Sequence, residues 1–118
     1  MKKLGFLGPK GTYSDQAALF YMKESSVSFT PVGMDSFMTL FNHLQEKLCD
    51  EIVVPFENSI EGSVTTTLDL LVQTPDVLIK KEILVPISHC LLSKKSMSLQ
   101  DISDVYSHPQ PLAQCRQY

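Results

Sequence analysis

Hydrophobic residues arrive along this chain in short blocks, separated by glycine, proline or charge. Leu4, Phe6 and Leu7 form an apolar run that stops at Gly8-Pro9, the pattern of a buried first strand. Thr12 opens a Thr-x-x-Asp pattern closed by Asp15, a capping box for a helix over about residues 14 to 23. Ala17, Phe20 and Tyr21 supply its apolar face. Val27 to Val32 alternates loosely as a second strand, and Pro31, which has no amide hydrogen to donate, predicts an edge position or the strand's last turn outward. Asp35 is the expected cap of a second helix, in which Phe37, Leu40, Phe41, Leu44 and Leu48 recur every three or four residues. Ile52 to Phe56, short and β-branched, predicts a third strand. A third helix is expected from near Ser63, burying Val64, Leu68, Leu71 and Val72. Val77 to Leu92 reads as one or two further strands bent at Pro86. Ser98 and Asp101 form a second capping box before Leu99, Ile102 and Val105, and Val105-Tyr106 reads as a brief strand. A last helix begins among Pro109 to Pro111, since proline suits a first turn, and continues through Leu112 and Cys115.

Strands alternating with helices over short links predict an open parallel α/β sheet covered on both faces. The final pieces begin another strand–helix unit and stop at Tyr118 with no closing cap. The chain is therefore expected to be the N-terminal part of a longer protein. A first lobe would span residues 1–77, and residues 78–118 would be the crossover and the start of a second lobe. At 118 residues there is room for one domain at most. Thirteen acidic residues against ten basic ones leave a net charge of −3, which argues against a broadly basic nucleic-acid face. The three cysteines, Cys49, Cys90 and Cys115, have neither disulfide nor zinc spacing, and two or three free, buried thiols are expected. Neither His43 nor His89 has a metal-spaced companion, so no metal is expected. The N-terminal apolar run is too short for a signal segment, and no stretch approaches the roughly 20 apolar residues of a membrane span. A cytoplasmic protein without membrane partners follows.

Three polar segments are placed where chemistry would sit. Gly8-Pro9-Lys10-Gly11-Thr12-Tyr13-Ser14 joins a strand to a helix N-terminus, and its amides with the Thr12 and Ser14 hydroxyls suit an anion. It lacks both the dinucleotide and the P-loop spacing, and a plain turn relieved by glycine fits it as well. Pro55 to Ser63 is the densest polar cluster, at the carboxyl end of the third strand, where open α/β sheets bind ligands. Glu57 and Glu61 are candidate acids or bases, and Asn58 and Ser59 candidate hydrogen-bond donors, though a solvated loop with Ser63 as a helix cap is equally open. Ser107 to Cys115 repeats the strand-to-helix arrangement, with His108 expected to position or cap rather than to activate Ser107. Lys80-Lys81 is expected to be solvated.

Together, GPKGTYS at 8 to 14, VPFENSIEGSV at 54 to 64 and SHPQPLAQC at 107 to 115 resemble, in order and spacing, the N-terminal portion of the prephenate dehydratase family. The resemblance implies an α/β unit of two lobes, similar to type II periplasmic binding proteins, with the substrate in the interlobe cleft. It implies decarboxylating dehydration of prephenate to phenylpyruvate in phenylalanine biosynthesis, with no cofactor, and a homodimer for the full-length protein. Carried over residue by residue, Glu57, Asn58, Ser107 and Gln114 become the catalytic set, and Thr12, Ser14, Ser59, Ser63 and Thr65 bind substrate. In that set Asn58, Ser107 and Gln114 orient the substrate and Glu57 organises the network. The family's Thr-Arg-Asp or Thr-Arg-Phe motif, whose Thr is tied to protonating the departing hydroxyl, has no counterpart within residues 1–118, nor does its ACT regulatory domain. Residues 1–118 alone are thus expected to be inactive. The competing reading is a non-catalytic small-anion binding module, since binding-protein lobes share the topology.

Overall fold

The computed structural model describes residues 1–58 and 62–118. It divides into two compact units, Met1–Pro86 and Ile87–Tyr118. In the first, strands β1 (Lys2–Leu7), β2 (Phe29–Met34) and β3 (Glu51–Val53) form a sheet in the order β2-β1-β3. Both pairings are parallel, with Leu4 opposite Pro31 on one side and opposite Glu51 on the other. The predicted parallel α/β sheet is therefore present. Pro31 sits on β2, which pairs only with β1 among the described residues, so the strand lacking one donor lies at an edge as expected.

Two helices connect these strands from opposite faces. Helix α1 (Tyr13–Glu24) links β1 to β2, and α2 (Phe37–Gln45) links β2 to β3. The strand order reverses between the two crossovers, so two right-handed connections place their helices on opposite sides. The core divides accordingly. Leu4, Phe6, Ala18, Tyr21 and Phe29 pack on the α1 side, joined by Met22, Val53 and Ile83. Met34, Leu40 and Cys49 pack on the α2 side, joined by Leu7, Val32, Ile52 and Val54. Alternation along β1 produces this split, because successive strand residues point to opposite faces. Gly5 faces α2, and a Cβ there would meet Leu40 Cδ2 at 3.0 Å and Ile52 Cγ2 at 3.1 Å. The absent side chain lets the helix approach the sheet.

Several element details correct the expectations. Thr12 caps α1 as predicted, accepting from the Asp15 amide, but the buried face is Ala17, Ala18 and Tyr21, while Phe20 is half exposed. Small residues let the helix lie close to the sheet and turn the bulky ring outward. Ser36, not Asp35, caps α2: its Oγ accepts from the Thr39 amide at 3.0 Å. Of the predicted stripe, Leu40 and Phe41 are buried and Leu48, beyond the helix, is exposed. Helix α3 (Thr65–Gln73) follows two antiparallel strands of two residues each, β4 (Glu57–Asn58) and β5 (Gly62–Ser63), so Ser63 belongs to a strand and Val64 occupies the cap position. Its buried residues are Thr67 and Leu70, with Val72 exposed.

Val77 to Leu92 forms no strand, and neither does Val105-Tyr106. A strand needs a partner for its amides, and no described segment pairs with either one. Residues 77–86 are nonetheless tied to the first unit. Ile83 joins the α1-side core, Lys80 pairs with Glu51 at 2.6 Å and Lys81 with Glu24 at 2.5 Å. The two lysines are thus ion-paired as well as exposed. Within the second unit, Ser98 and Asp101 form the predicted capping box around a single 3-10 turn, Leu99–Asp101, and α4 (Pro109–Gln114) begins at a proline. All three cysteines are free, but only Cys49 is buried, and Cys90 and Cys115 are exposed. Among the described residues, no helix is long and apolar enough to cross a membrane.

Candidate functional site

β1 and β3 are neighbours, yet the chain leaves them toward opposite faces: α1 covers one side, and α3 packs beside α2 on the other. The loops that follow Leu7 and Val53 therefore start side by side at the carboxyl edge of the sheet and diverge. Open α/β sheets bind ligands at such a divergence. Thr12, Ser14, Glu57, Asn58, Ser63 and Thr65 all belong to the segments that emerge there.

The first loop is closed on itself. The Gly8 amide donates to the Met34 carbonyl at 2.7 Å. Thr12 Oγ donates to the Pro9 carbonyl at 2.9 Å, with the Leu7 carbonyl at 3.3 Å, and accepts from the Asp15 amide at 3.2 Å. Gly11, at φ +89°, turns its amide onto Asp15 Oδ2 at 2.8 Å. A side chain there would be strained, so the glycine is required by the turn. Asp15 thus supplies the negative charge that the sequence suggested for an outside anion. Ser14 makes no side-chain hydrogen bond among the described residues. Beside this loop, Gly8, Pro9 and Lys10 with Gly33, Met34 and Asp35 line an open depression of about 570 Å³.

The second loop is held from beneath. Thr67 is fully buried, and its Oγ donates to the Pro55 carbonyl at 2.6 Å. The Val64 amide donates to the Phe56 carbonyl at 2.8 Å. In the hairpin between them Glu57 faces Ser63 and Asn58 faces Gly62, which takes φ +84°. Glu57, Ser63 and Thr65 are exposed and Asn58 is half-buried. Ser59 and Glu61 lie outside the described residues. Nothing in the linear pattern singled out Thr67. A threonine in a helical first turn reads as a weak helix former, and only the Pro55 carbonyl explains its burial.

The remaining candidates lie in the second unit. Ser107 is exposed and lies outside any helix or strand, before α4. His108 holds the cap position of α4 through its backbone, without a side-chain cap bond. Gln114 is half-buried in the last turn, and its Oε1 meets His89 Nε2 at 2.6 Å. His89 was without an assigned role in the sequence, since 25 residues separate the pair and no periodicity links them.

The perturbed charges stand at the opposite edge of the sheet, where β3 begins. Tyr21 Oη and Lys80 Nζ both donate to the Glu51 carboxylate. Burial raises the Glu51 pKa, but the hydrogen bonds from Lys80 and Tyr21 outweigh it and hold the carboxyl below its ordinary range. Burial, then the bond to Glu51, raises the Tyr21 phenol. This cluster ties α1, β3 and residue 80 together, away from the polar loops.

Comparison with known proteins fits this arrangement. The family model described as prephenate dehydratase matches residues 4–118. A bifunctional chorismate mutase/prephenate dehydratase of Enterobacter agglomerans is 40% identical over 98% of this chain and 30% of its own length. One from Aquifex aeolicus is 42% identical over 98% of the chain and 31% of its own length. An arogenate dehydratase/prephenate dehydratase of Arabidopsis thaliana is 34% identical over 96% of the chain and 28% of its own length. The chain thus spans under a third of the length of these curated relatives. The crystal structure of prephenate dehydratase from Streptococcus mutans matches with a TM-score of 0.51 and 30% identity, covering 61% of this chain and 36% of that one. With its parallel α/β sheet, its polar loops at the carboxyl edge and a family match over nearly every residue, the chain belongs to the prephenate dehydratase family.

Proposed function

We propose that this chain supplies the opening part of a prephenate dehydratase catalytic unit, converting prephenate to phenylpyruvate. The unit would be two-lobed in the manner of type II periplasmic binding proteins, with residues 1–77 as the first lobe and 78–118 as the crossover and start of the second. In the reaction the bond to the ring carboxylate breaks and carbon dioxide departs. Its electron pair enters the ring, and the ring C–O bond breaks to release hydroxide. Aromatisation drives the step, so the protein's work is to bind two carboxylates, orient the ring and assist the leaving hydroxide.

The observation that carries this reading is the divergence of the Gly8 and Val54 loops from adjacent strand ends, both inside the family match over residues 4–118. Asn58, Ser107 and Gln114 orient substrate through hydrogen bonds, and Glu57 organises the network around them. Ser59, Ser63 and Thr65 add hydroxyls, Ser14 contributes its own, and Thr12 shapes the first loop. A cytoplasmic homodimer without nucleic-acid or membrane partners completes the proposal; the net charge of −3 speaks against a nucleic-acid partner. The competing anion-binding module is less well supported, because the Gly11 amide and Thr12 hydroxyl that would hold the anion are engaged within their own loop.

The test is phenylpyruvate release, followed by ultraviolet absorbance, in the full product of the gene encoding this chain. Asn58→Ala is expected to lower kcat/KM on the order of tenfold to a hundredfold with an unchanged melting temperature. Wild-type turnover in that variant would remove Asn58 from the site. Residues 1–118 alone are expected to give no phenylpyruvate above the uncatalysed rate.

A further inference from the structure

A glutamine amide offers one acceptor oxygen and two N–H donors, and it can present either end to a ligand. In Gln114 that choice is constrained. His89 Nε2 lies 2.6 Å from Gln114 Oε1, so the imidazole carries hydrogen on Nε2 and donates it to the amide oxygen. Among the described residues the Gln114 NH₂ group makes no hydrogen bond. With its oxygen held, the amide has only donors to offer. A freely rotating amide would spend part of its time presenting the oxygen, which repels a carboxylate.

We propose that His89 is a positioning residue: by holding Gln114 Oε1 it makes the amide a dedicated donor toward an anionic carboxylate or hydroxyl oxygen of the substrate. This rests on the reading of Gln114 as a substrate-contacting side chain. His89 meets the glutamine's far oxygen and takes no part in bond breaking.

The test compares kcat/KM for prephenate in the full gene product and four variants: Gln114→Ala, His89→Asn, His89→Gln and the double variant His89→Asn/Gln114→Ala. The asparagine amide ends short of the Nε2 position, whereas the glutamine amide reaches it. Gln114→Ala and His89→Asn are each expected to lose roughly tenfold in kcat/KM. The double variant is expected to lose no more than Gln114→Ala alone, and His89→Gln to recover most of the wild-type value. A purely structural histidine would give losses that multiply, with no rescue by glutamine. Either of those results, or wild-type kcat/KM in His89→Asn, would overturn the positioning role while leaving Gln114 in the site. Wild-type kcat/KM in Gln114→Ala, or a full gene product that turns over no prephenate, would overturn the functional reading and this inference with it.

Discussion

Thr67 and Glu51 are two polar residues whose environments decide their value. Thr67 is fully buried because its hydroxyl has the Pro55 carbonyl, and through it the base of α3 grips the loop that carries Glu57 and Asn58. Thr67→Val keeps the shape and removes the donor. It is expected to cost about 1–3 kcal/mol, read from urea midpoints, because the carbonyl loses its partner. A midpoint equal to wild type would show that water replaces the hydroxyl. The contribution of Glu51, unlike that of Thr67, depends on its own charge. Its folded pKa lies below the ordinary 4.5, so its contribution is complete above that value and is lost as the pH falls through the folded pKa. The stability advantage of wild type over Glu51→Gln is therefore expected to be largest at neutral pH and to shrink in acid. A difference independent of pH would mean that the Lys80 and Tyr21 bonds do not depend on the carboxylate's charge.

At the level of elements, the helices show which signals survive folding and which are displaced. The Thr12–Asp15 cap and the Leu40–Phe41 pair were legible because both are local patterns, satisfied within one turn. The buried face of α3 was not, because Thr67 and Leu70 are selected by what lies beneath them rather than by hydropathy. The end of α2 was equally silent in the sequence. The Leu48 amide reaches the His43 carbonyl at 2.8 Å and the Lys47 amide the Leu44 carbonyl at 3.2 Å, a helix end that needs a left-handed residue at its centre. Lys47 fills that place at φ +59°, where glycine is the usual occupant. Lys47→Gly is expected to raise stability by about 1 kcal/mol in chemical denaturation, since it removes the Cβ conflict of that conformation. A destabilised variant would show that the Lys47 side chain contributes more than its backbone costs.

Across the chain, apolar burial is concentrated in the first unit, on the two faces of the three-stranded sheet. Leu78, Ile79, Leu84 and Leu92 are 85%, 70%, 81% and 89% exposed. Apolar surface of this kind in a segment with no strand partner favours self-association. Residues 1–118 alone are expected to show an apparent mass that rises with concentration in size exclusion and sedimentation. A sharp monomer peak at every concentration would show that these side chains find cover within one chain.

The amino-acid sequence alone determined the alternation of strands and helices, the parallel sheet, the edge position of Pro31, and the three polar segments that mark the family. Each of these is written in contiguous residues, as periodicity, backbone restriction or motif spacing. Tertiary structure alone decided that Thr67 anchors the Asn58 loop and that His89 meets Gln114. It also decided that Val77 to Leu92 forms no strand among the described residues. The physical reason is common to all three. A hydrogen bond between distant residues, or a strand's need for a neighbour, is met only when the chain is folded, and no local pattern encodes which partner arrives.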